Sequence, residues 1–363
     1  MMESTSVPRV NIPKYALDHL MDTQGLLRNE LSRVFMIPET ETQDWKKYAL
    51  DWWNNQTPEN EHTLREILQI MAAPSHLAYM TVCISDTMIQ EANAAFSSPL
   101  LTEPAVIVGE APEGDNYEVK HMVEGNVFAN TIMMYLDAHS DIATTDLAVE
   151  MSHLDLAVLL ATVDLYKRKH MLSLMEHLEV DDILTYDDID KSLQNSLISN
   201  DPRWVTSFVL DYLGINEVES ASVYDSAQNL FTQGWMRMSE DQKAFSFTDH
   251  GILLAESIRN KVNTVGLRTL ASTMEGKVGS NKLVFIRGSQ LLWFIEIQPQ
   301  KAVLTSINLD QAVEIVTSVL TPDTIPDSAP VSADPVCKKC GTPATFVEEY
   351  QRWYCYECKE YIQ

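Results

Sequence analysis

Four of the five cysteines, Cys337, Cys340, Cys355 and Cys358, stand in the run CKKCGTPATFVEEYQRWYCYEC with the spacing C-x2-C-x14-C-x2-C. Each C-x2-C pair presents two thiolates from one tight knuckle, and two knuckles complete the soft tetrahedral site that Zn²⁺ prefers. Gly341 follows the first pair, where the chain must turn tightly with backbone N–H groups facing sulfur. Four sulfur ligands leave no open coordination position, so the metal is expected to hold structure and not to hydrolyse a substrate. Between the knuckles, ATFVEEY and RWYCY read as a short hairpin, with Trp353 and Tyr354 able to pack beside the ion.

On these residues the stretch 336–363 resembles the zinc-ribbon family, which implies a module that binds nucleic acid or protein. So small a unit buries too little apolar surface to fold alone, and its folding should depend on the metal. Lys338, Lys339, Arg352 and Lys359 are matched by Glu348, Glu349, Glu357 and Glu360, which opposes a basic patch for phosphates.

Other chemistry-bearing residues do not assemble into a recognisable set. Glu150 and His153 form Glu-x-x-His on an expected helix, one half of a di-iron arrangement. The second copy, Glu118 and His121, falls on an expected strand, so a solvated helix face is the better reading. Asp181, Asp182, Asp187, Asp188 and Asp190 lack the calcium-loop order with its central Gly and final Glu, and fit a solvated loop leading into a helix N-terminus. GKVGSNK departs from a phosphate loop, because Ala271 stands where the first Gly belongs and Val278 follows Lys277. GxSxG, HExxH and GxGxxG are absent, and nine histidines lie scattered without a base–nucleophile pairing. Cys83, in YMTVCI, reads as a small buried core residue.

The elements that must position any site come from 363 residues, 45% of them hydrophobic, enough for more than one core. The net charge of −26 repels phosphate backbones and favours solubility or a basic partner. Much of it is concentrated: Glu110–Asp190 holds 18 Asp and Glu against 4 Lys and Arg. Apolar stretches such as Leu156–Ala161 are cut short by Asp155 and Asp164, so no membrane span is expected. MMESTSVPRV lacks a secretory pattern, and metal-type cysteine usage fits a reducing compartment; both point to the cytoplasm.

Periodicity predicts a helix through Leu17, Leu20, Met21, Leu27, Leu31, Val34 and Phe35, stopped by Pro38, and a second with a core stripe of Trp45, Tyr48, Ala49 and Trp52. Thr63 and Glu66 read as a capping box ahead of Leu64, Ile67, Leu68 and Met71. Strands are expected in AYMTVCI and PAVIVGE, then as a hairpin at 117–124 and 127–136 broken at Gly125-Asn126. A long helix from Thr144 towards Leu178 carries Lys167, Arg168 and Lys169 in its second half, where cations suit the macrodipole. NKLVFIRG, QLLWFIEI and AVLTSI read as strands and LDQAVEIVTSVL as a helix, an order that repeats the earlier one and suggests a duplicated α/β unit. That order resembles the secretion-chaperone family that escorts type VII substrates. TPDTIPDSAPVSADPV, with four prolines and three aspartates, reads as a solvated tether.

Within 193–262, WVTSFVLDYLGI, SVYDSAQNLF and NLFTQGWMRMSEDQKAFSFTDHGILLAESI resemble the winged-helix family: two helices, a wing after Gly234-Trp235, and a closing helix begun by Thr248, Asp249 and Gly251. DNA-binding members need cations on the helix before the wing, but SVYDSAQNLFTQ has Asp225 and no Lys or Arg, so the module reads as a protein-binding element.

The expected fold is α+β, mixed, and multidomain. Residues 1–192 form an acidic domain, 193–262 a winged-helix-like module and 263–320 a small α/β unit packing with the first domain as its duplicate. A linker at 321–335 leads to the ribbon at 336–363. The function read from this is a non-enzymatic cytoplasmic adaptor or chaperone-like subunit with structural Zn²⁺ and a basic protein partner. The alternatives are a transcription-associated regulator using both modules, and an enzyme whose site is assembled only in space.

Overall fold

The computed structural model describes residues 9–37, 44–112, 114–137, 142–177, 179, 183–199, 201–240, 244–272 and 278–321, and the backbone of 345–347, 352–355 and 360–362. In chain order, β1 (Arg9–Pro13), α1 (Leu17–Thr23), α2 (Trp45–Asn54) and α3 (Pro58–Ala72) precede β2 (His76–Ile84), β3 (Met88–Phe96), β4 (Ala105–Glu110), β5 (Asn116–Met122) and α4 (Asn126–Tyr135). A larger second half follows, with β6 (Ala148–Met151), α5 (His153–Glu176), β7 (Leu184–Thr185), α6 (Tyr186–Ser199), α7 (Val205–Leu213), α8 (Ser220–Thr232), β8 (Met236–Met238), β9 (Ala244–Phe247) and α9 (Asp249–Arg259). It closes with β10 (Asn263–Ser272), β11 (Val278–Arg287), β12 (Leu292–Ile297), β13 (Ala302–Ile307) and α10 (Leu309–Val319), after which come β14 (Thr345–Val347), β15 (Arg352–Cys355) and β16 (Glu360–Ile362). The class is α+β, mixed, as composition and periodicity predict.

Ten strands form one antiparallel sheet in the order β1-β5-β4-β3-β2-β10-β11-β12-β13-β6. Each half is a four-stranded meander followed by one helix, widened at its outer edge by a strand from upstream: β1 on β5, and β6 on β13. A helical insertion separates that edge strand from its meander, α1–α3 in one half and α5–α9 in the other. The halves join where β2 and β10 pair from His76↔Ala271 to Ile84↔Asn263, a pseudo-two-fold arrangement centred on Met80↔Leu267. The register thus relates the two halves by pseudo-symmetry, over a longer stretch than the hairpin and helix whose order suggests a repeat in sequence.

The pleat divides the core into layers. Ala78, Met80 and Val82 of β2 face α4 and α10 on one side, in a core shared with Phe128, Phe285, Phe294 and Val316. Leu77 and Tyr79 point to the other side and pack with α1–α3, while Cys83 on that side joins the α5–α9 core with Val284, Trp293 and Ile295. Strands covered on both faces read as nearly continuous apolar runs, which is why LVFI and LLWFI are conspicuous in sequence. Cys83 is fully buried, as its setting predicts.

Several local expectations are corrected. Residues 127–136 form α4 and not a strand: Phe128, Ile132 and Leu136 are buried at i, i+4, i+8, a helical face that a hairpin reading ignores. The strand that completes the meander is β3, whose MIQEANAAF is too polar to announce itself and is held by pairing with β2 from Ile84↔Met88 to His76↔Phe96. The first long helix is broken at Gly25, in the left-handed region at φ 64°, and resumes as a 3-10 turn at Glu30–Phe35, which leaves Leu27 exposed. Helix α3 starts at Pro58 behind the Thr57 cap, which places Thr63 and Glu66 inside it. The helix expected from Thr144 begins only at His153, where the Ser152 side chain accepts from the Asp155 N–H at 3.0 Å, because Ala148–Met151 is taken into the sheet edge. In the segment 193–262 the helices, hairpin and closing helix follow in the order read from sequence, with β8 paired to β9; a third strand, β7, joins from outside that span.

Helix α7 is seated on the joint between the halves by Gly266 of β10, directly opposite Thr81 of β2. A Cβ at Gly266 would stand 2.2 Å from Cζ and Oη of Tyr212, so the missing side chain is the seat for the ring. Burial pushes the Tyr212 phenol up to about 12, a Thr81 hydrogen bond opposing. Gly266→Ala is therefore expected to cost about 1–3 kcal/mol by overpacking, measured by urea unfolding, and Tyr212→Leu in the same chain should recover part of the loss. An unchanged midpoint in Gly266→Ala would show that α7 is not held there.

Candidate partner-binding surface

Helix α5 is the longest helix of the described residues, 24 residues and about 36 Å. From Leu156 to Ala161 every residue is buried, so this part is apolar on all sides and runs through the middle of the α6–α9 bundle. The apolar character then continues past the end of the core. Met171, Leu172, Leu174 and Met175 are 48%, 53%, 74% and 76% exposed, and Ile183 beyond the helix is exposed as well. The helix stops at His177, in the left-handed region at φ 55°, with its N–H on the Ser173 carbonyl.

A charged cluster fixes the root of this overhang. The β2–β3 hairpin turns through Ser85 and Asp86, both at positive φ, and this delivers the Asp86 carboxylate between two lysines. Lys167 of α5 donates to Asp86 Oδ2 at 2.5 Å, and Lys261, just after α9, pairs with Oδ1. The Lys261 side chain is 1% exposed. Burial pushes the Asp86 carboxyl up, but the charges and hydrogen bonds of Lys261 and Lys167 outweigh it and hold the group below the usual carboxylate range.

One turn earlier, buried Asp164 caps α7: its Oδ2 accepts from Thr206 N at 2.9 Å and Thr206 Oγ1 at 2.6 Å, and burial pushes its own carboxyl up. Arg168 stacks on Trp204 at 4.4 Å, and Lys169 Nζ donates to the Ile183 carbonyl. The basic cluster therefore has tertiary partners, which corrects the macrodipole explanation. It lies more than a turn before the helix end, beyond the reach of the dipole.

The arrangement holds a bare apolar helix end on a rigid base tied to the hairpin, α7 and the α9–β10 joint. Met88 and Ile89, on the hairpin just beyond Asp86, are also half exposed. Exposed apolar patches of this kind mark interaction sites, and thioether side chains adapt to the shape of what covers them. Sequence reading misses the surface because Met171, Leu172, Leu174 and Met175 continue an apolar helical pattern and so pass for core.

The residues singled out for catalysis or metal binding are not brought together. Glu150 sits on strand β6, paired with Lys301 at 2.6 Å, and His153 Nε2 lies 2.8 Å from the Gln298 carbonyl, which corrects the helical Glu-x-x-His reading. Ser75 Oγ is 3.4 Å from His76 Nδ1, but burial pushes that imidazole down to about 4, with the Leu320 backbone opposing, and its ring stacks on Phe96. Thr185 Oγ1 donates to Asp188 at the start of α6, where Asp187 and Asp188 occupy the first turn. Among the described residues no cluster of three or more His, Cys, Asp or Glu could hold a metal ion. Cys337, Cys340 and Cys358 lie outside those residues, as does the side chain of Cys355.

No protein-family profile and no curated protein matches the sequence. Among solved structures, the chain is similar to one titled as the Mycobacterium tuberculosis type VII secretion system chaperone EspG5 in complex with a PE25–PPE41 dimer. The match covers 89% of this chain and 98% of that one, with 11% identity and a TM-score of 0.40. Likeness at that level is too low to assign a fold family or a function.

Proposed function

We propose that this protein is an adaptor or chaperone-like subunit that binds a partner protein on the apolar overhang of α5. The observation that carries the reading is that Leu174 and Met175 are about three-quarters exposed on a helix whose root is anchored by Asp86, Lys167 and Lys261. A monomer gains nothing from solvating such side chains, whereas a partner that covers them recovers about 25 cal/mol per Å² of apolar area. The net charge of −26 favours a basic partner by steering its approach.

A Zn²⁺ ribbon held by Cys337, Cys340, Cys355 and Cys358 supplies a second contact in this proposal. It is supported by the sheet β14-β15-β16: the hairpin read between the knuckles is β14 paired with β15, and Cys355 ends β15 opposite Glu360 of β16. A transcription role draws no support from α8, which exposes Tyr224 and Phe231 and carries no Lys or Arg. No helix among the described residues is long and apolar enough to cross a membrane, and a cytoplasmic setting fits Cys83, which is buried and free.

The test compares the chain with its Leu174→Glu/Met175→Glu variant in pull-downs from the source lysate at about 0.15 M salt. The variant should lose the captured partner at least about tenfold while its unfolding free energy stays within about 0.5 kcal/mol, because both positions are exposed. Equal capture by the two proteins would remove the overhang as the binding surface.

A further inference from the structure

On the sheet face away from α5, the pseudo-two-fold sets one groove beside α4 and another beside α10. The first, about 270 Å³, is lined by Gln90, Ala92, Ile107, Gly109, Thr131 and Tyr135 among others. The second, about 380 Å³, is lined at the corresponding places by Asn281, Leu283, Phe294, Glu296, Ile315 and Val319. The correspondence follows from the register. Ala92 faces Met80 and Leu283 faces Leu267, the two residues at the pseudo-symmetry centre. The helices align because Phe128, Ile132 and Leu136 are buried in one and Ala312, Val316 and Leu320 in the other.

The two grooves differ in one decisive way. In the first, the Tyr135 hydroxyl donates to Gln90 Oε1 at 2.5 Å, so an aromatic ring bridges from helix to strand. In the second, Val319 stands in place of that tyrosine and Asn281 is one methylene shorter than Gln90, and the space stays open. Leu283, Phe294 and Ile315 supply apolar wall, Ser280, Lys282 and Ser318 also line the groove, and the Lys282 ammonium donates to the Tyr212 carbonyl at 3.0 Å. Glu296 replaces Gly109 and adds a carboxylate, with Gln298 Nε2 donating to its Oε2 at 3.1 Å.

We propose that the α10 groove docks a segment of a partner protein that inserts a tyrosine ring next to a lysine or arginine. The ring takes the place that Tyr135 fills in the other half, its hydroxyl meets Asn281, and the adjoining cation meets Glu296. Ring burial against aliphatic walls supplies the attraction, and the carboxylate selects the flanking charge, in keeping with so acidic a chain. The groove lies on the opposite face from the α5 overhang, so this inference stands apart from the function proposed above.

The experiment is a methyl NMR titration of the full chain, Ile, Leu and Val labelled, with N-acetyl-Gly-Tyr-Lys-Gly-amide. Saturable shifts are expected at Ile315 and Leu283, with a dissociation constant on the order of 1 mM, as suits one buried ring. Replacing the peptide tyrosine by alanine should weaken binding at least about tenfold, and Glu296→Gln should weaken it about threefold. Val319→Tyr, which rebuilds the bridge of the other half, should abolish the shifts, whereas Leu174→Glu/Met175→Glu should leave them unchanged. No response at Ile315, an equal response to the alanine peptide, or tighter binding of free tyramine than of the peptide would each overturn the proposal.

Discussion

Replacing Asp86 by Ala is expected to lower the unfolding free energy by about 3–5 kcal/mol, the range for removing one partner of a buried ion pair. Lys261, with a side chain 1% exposed, would lose its paired carboxylate and keep only the weaker attraction of Asp164 and Asp201, and Lys167, 9% exposed, would lose its acceptor. Three elements would come loose together, because the carboxylate ties the β2–β3 turn to α5 and to the start of β10. The backbone is a smaller factor: Asp86 lies at φ 56°, a region that costs a non-glycine residue about 1–2 kcal/mol and that Asn tolerates well.

Asp86→Asn should therefore retain the turn and still lose most of the stability, which separates charge from conformation. Adding Lys261→Met to Asp86→Ala should recover about half of the loss, since the cation left without its paired carboxylate is gone. Urea unfolding of the unsubstituted chain, Asp86→Ala, Lys261→Met and the double variant closes the cycle, with Asp86→Asn measured beside it; a double variant no better than Asp86→Ala would sink the argument. The pH dependence has a definite sign. Because the folded-state pKa of Asp86 lies below its unfolded value, its stabilisation is present above the usual carboxylate range and is lost as pH falls through the folded value.

The second large effect is expected at the other end of the chain. Replacing Cys355 and Cys358 together by Ser should take the zinc content from about one ion per chain to none, because two hydroxyls do not substitute for two thiolates at a soft site. Metal binding in such modules is worth about 10–16 kcal/mol and is their folding energy, so amides of residues 336–363 should lose all hydrogen-exchange protection. The rest of the chain should keep its melting temperature within about 2 °C, few contacts being expected to cross a Pro/Asp-rich linker. Metal analysis, exchange and calorimetry on the same sample read all three outcomes. A chain that holds zinc as well without the two thiolates contradicts the ligand set, and a large drop in melting temperature contradicts the tether.

What was legible in the sequence follows a simple physical line. Strands β2, β4, β11, β12 and β13 could be read because burial on both faces leaves them little room for polar residues. Helix α9 could be read because Thr248 starts it, and α10 because its apolar positions recur at the helical period. Elements whose state depends on a neighbour were misread: β3 is polar and exists by pairing with β2, and α4 carries residues that suit a strand as well until Phe128 and Ile132 are buried together. Local propensity differs by tenths of a kcal/mol per residue, and tertiary burial overrides it.

By itself, the sequence determined the α+β class, the acidity, the buried Cys83 and the spacing of the four terminal cysteines, since each depends on residue type or on separations within a short stretch. Only the tertiary structure decided that two halves share one ten-stranded sheet, that Asp86 sits between Lys167 and Lys261, and that α5 outruns its core. These depend on residues far apart in the chain, Asp86 and Lys261 among them, whose meeting no local pattern records. An apolar side chain is core or interface according to what the rest of the fold leaves uncovered. Leu174 and Met175 are as apolar as Leu156–Ala161 earlier in the same helix, and differ in exposure because the surrounding bundle ends before it reaches them.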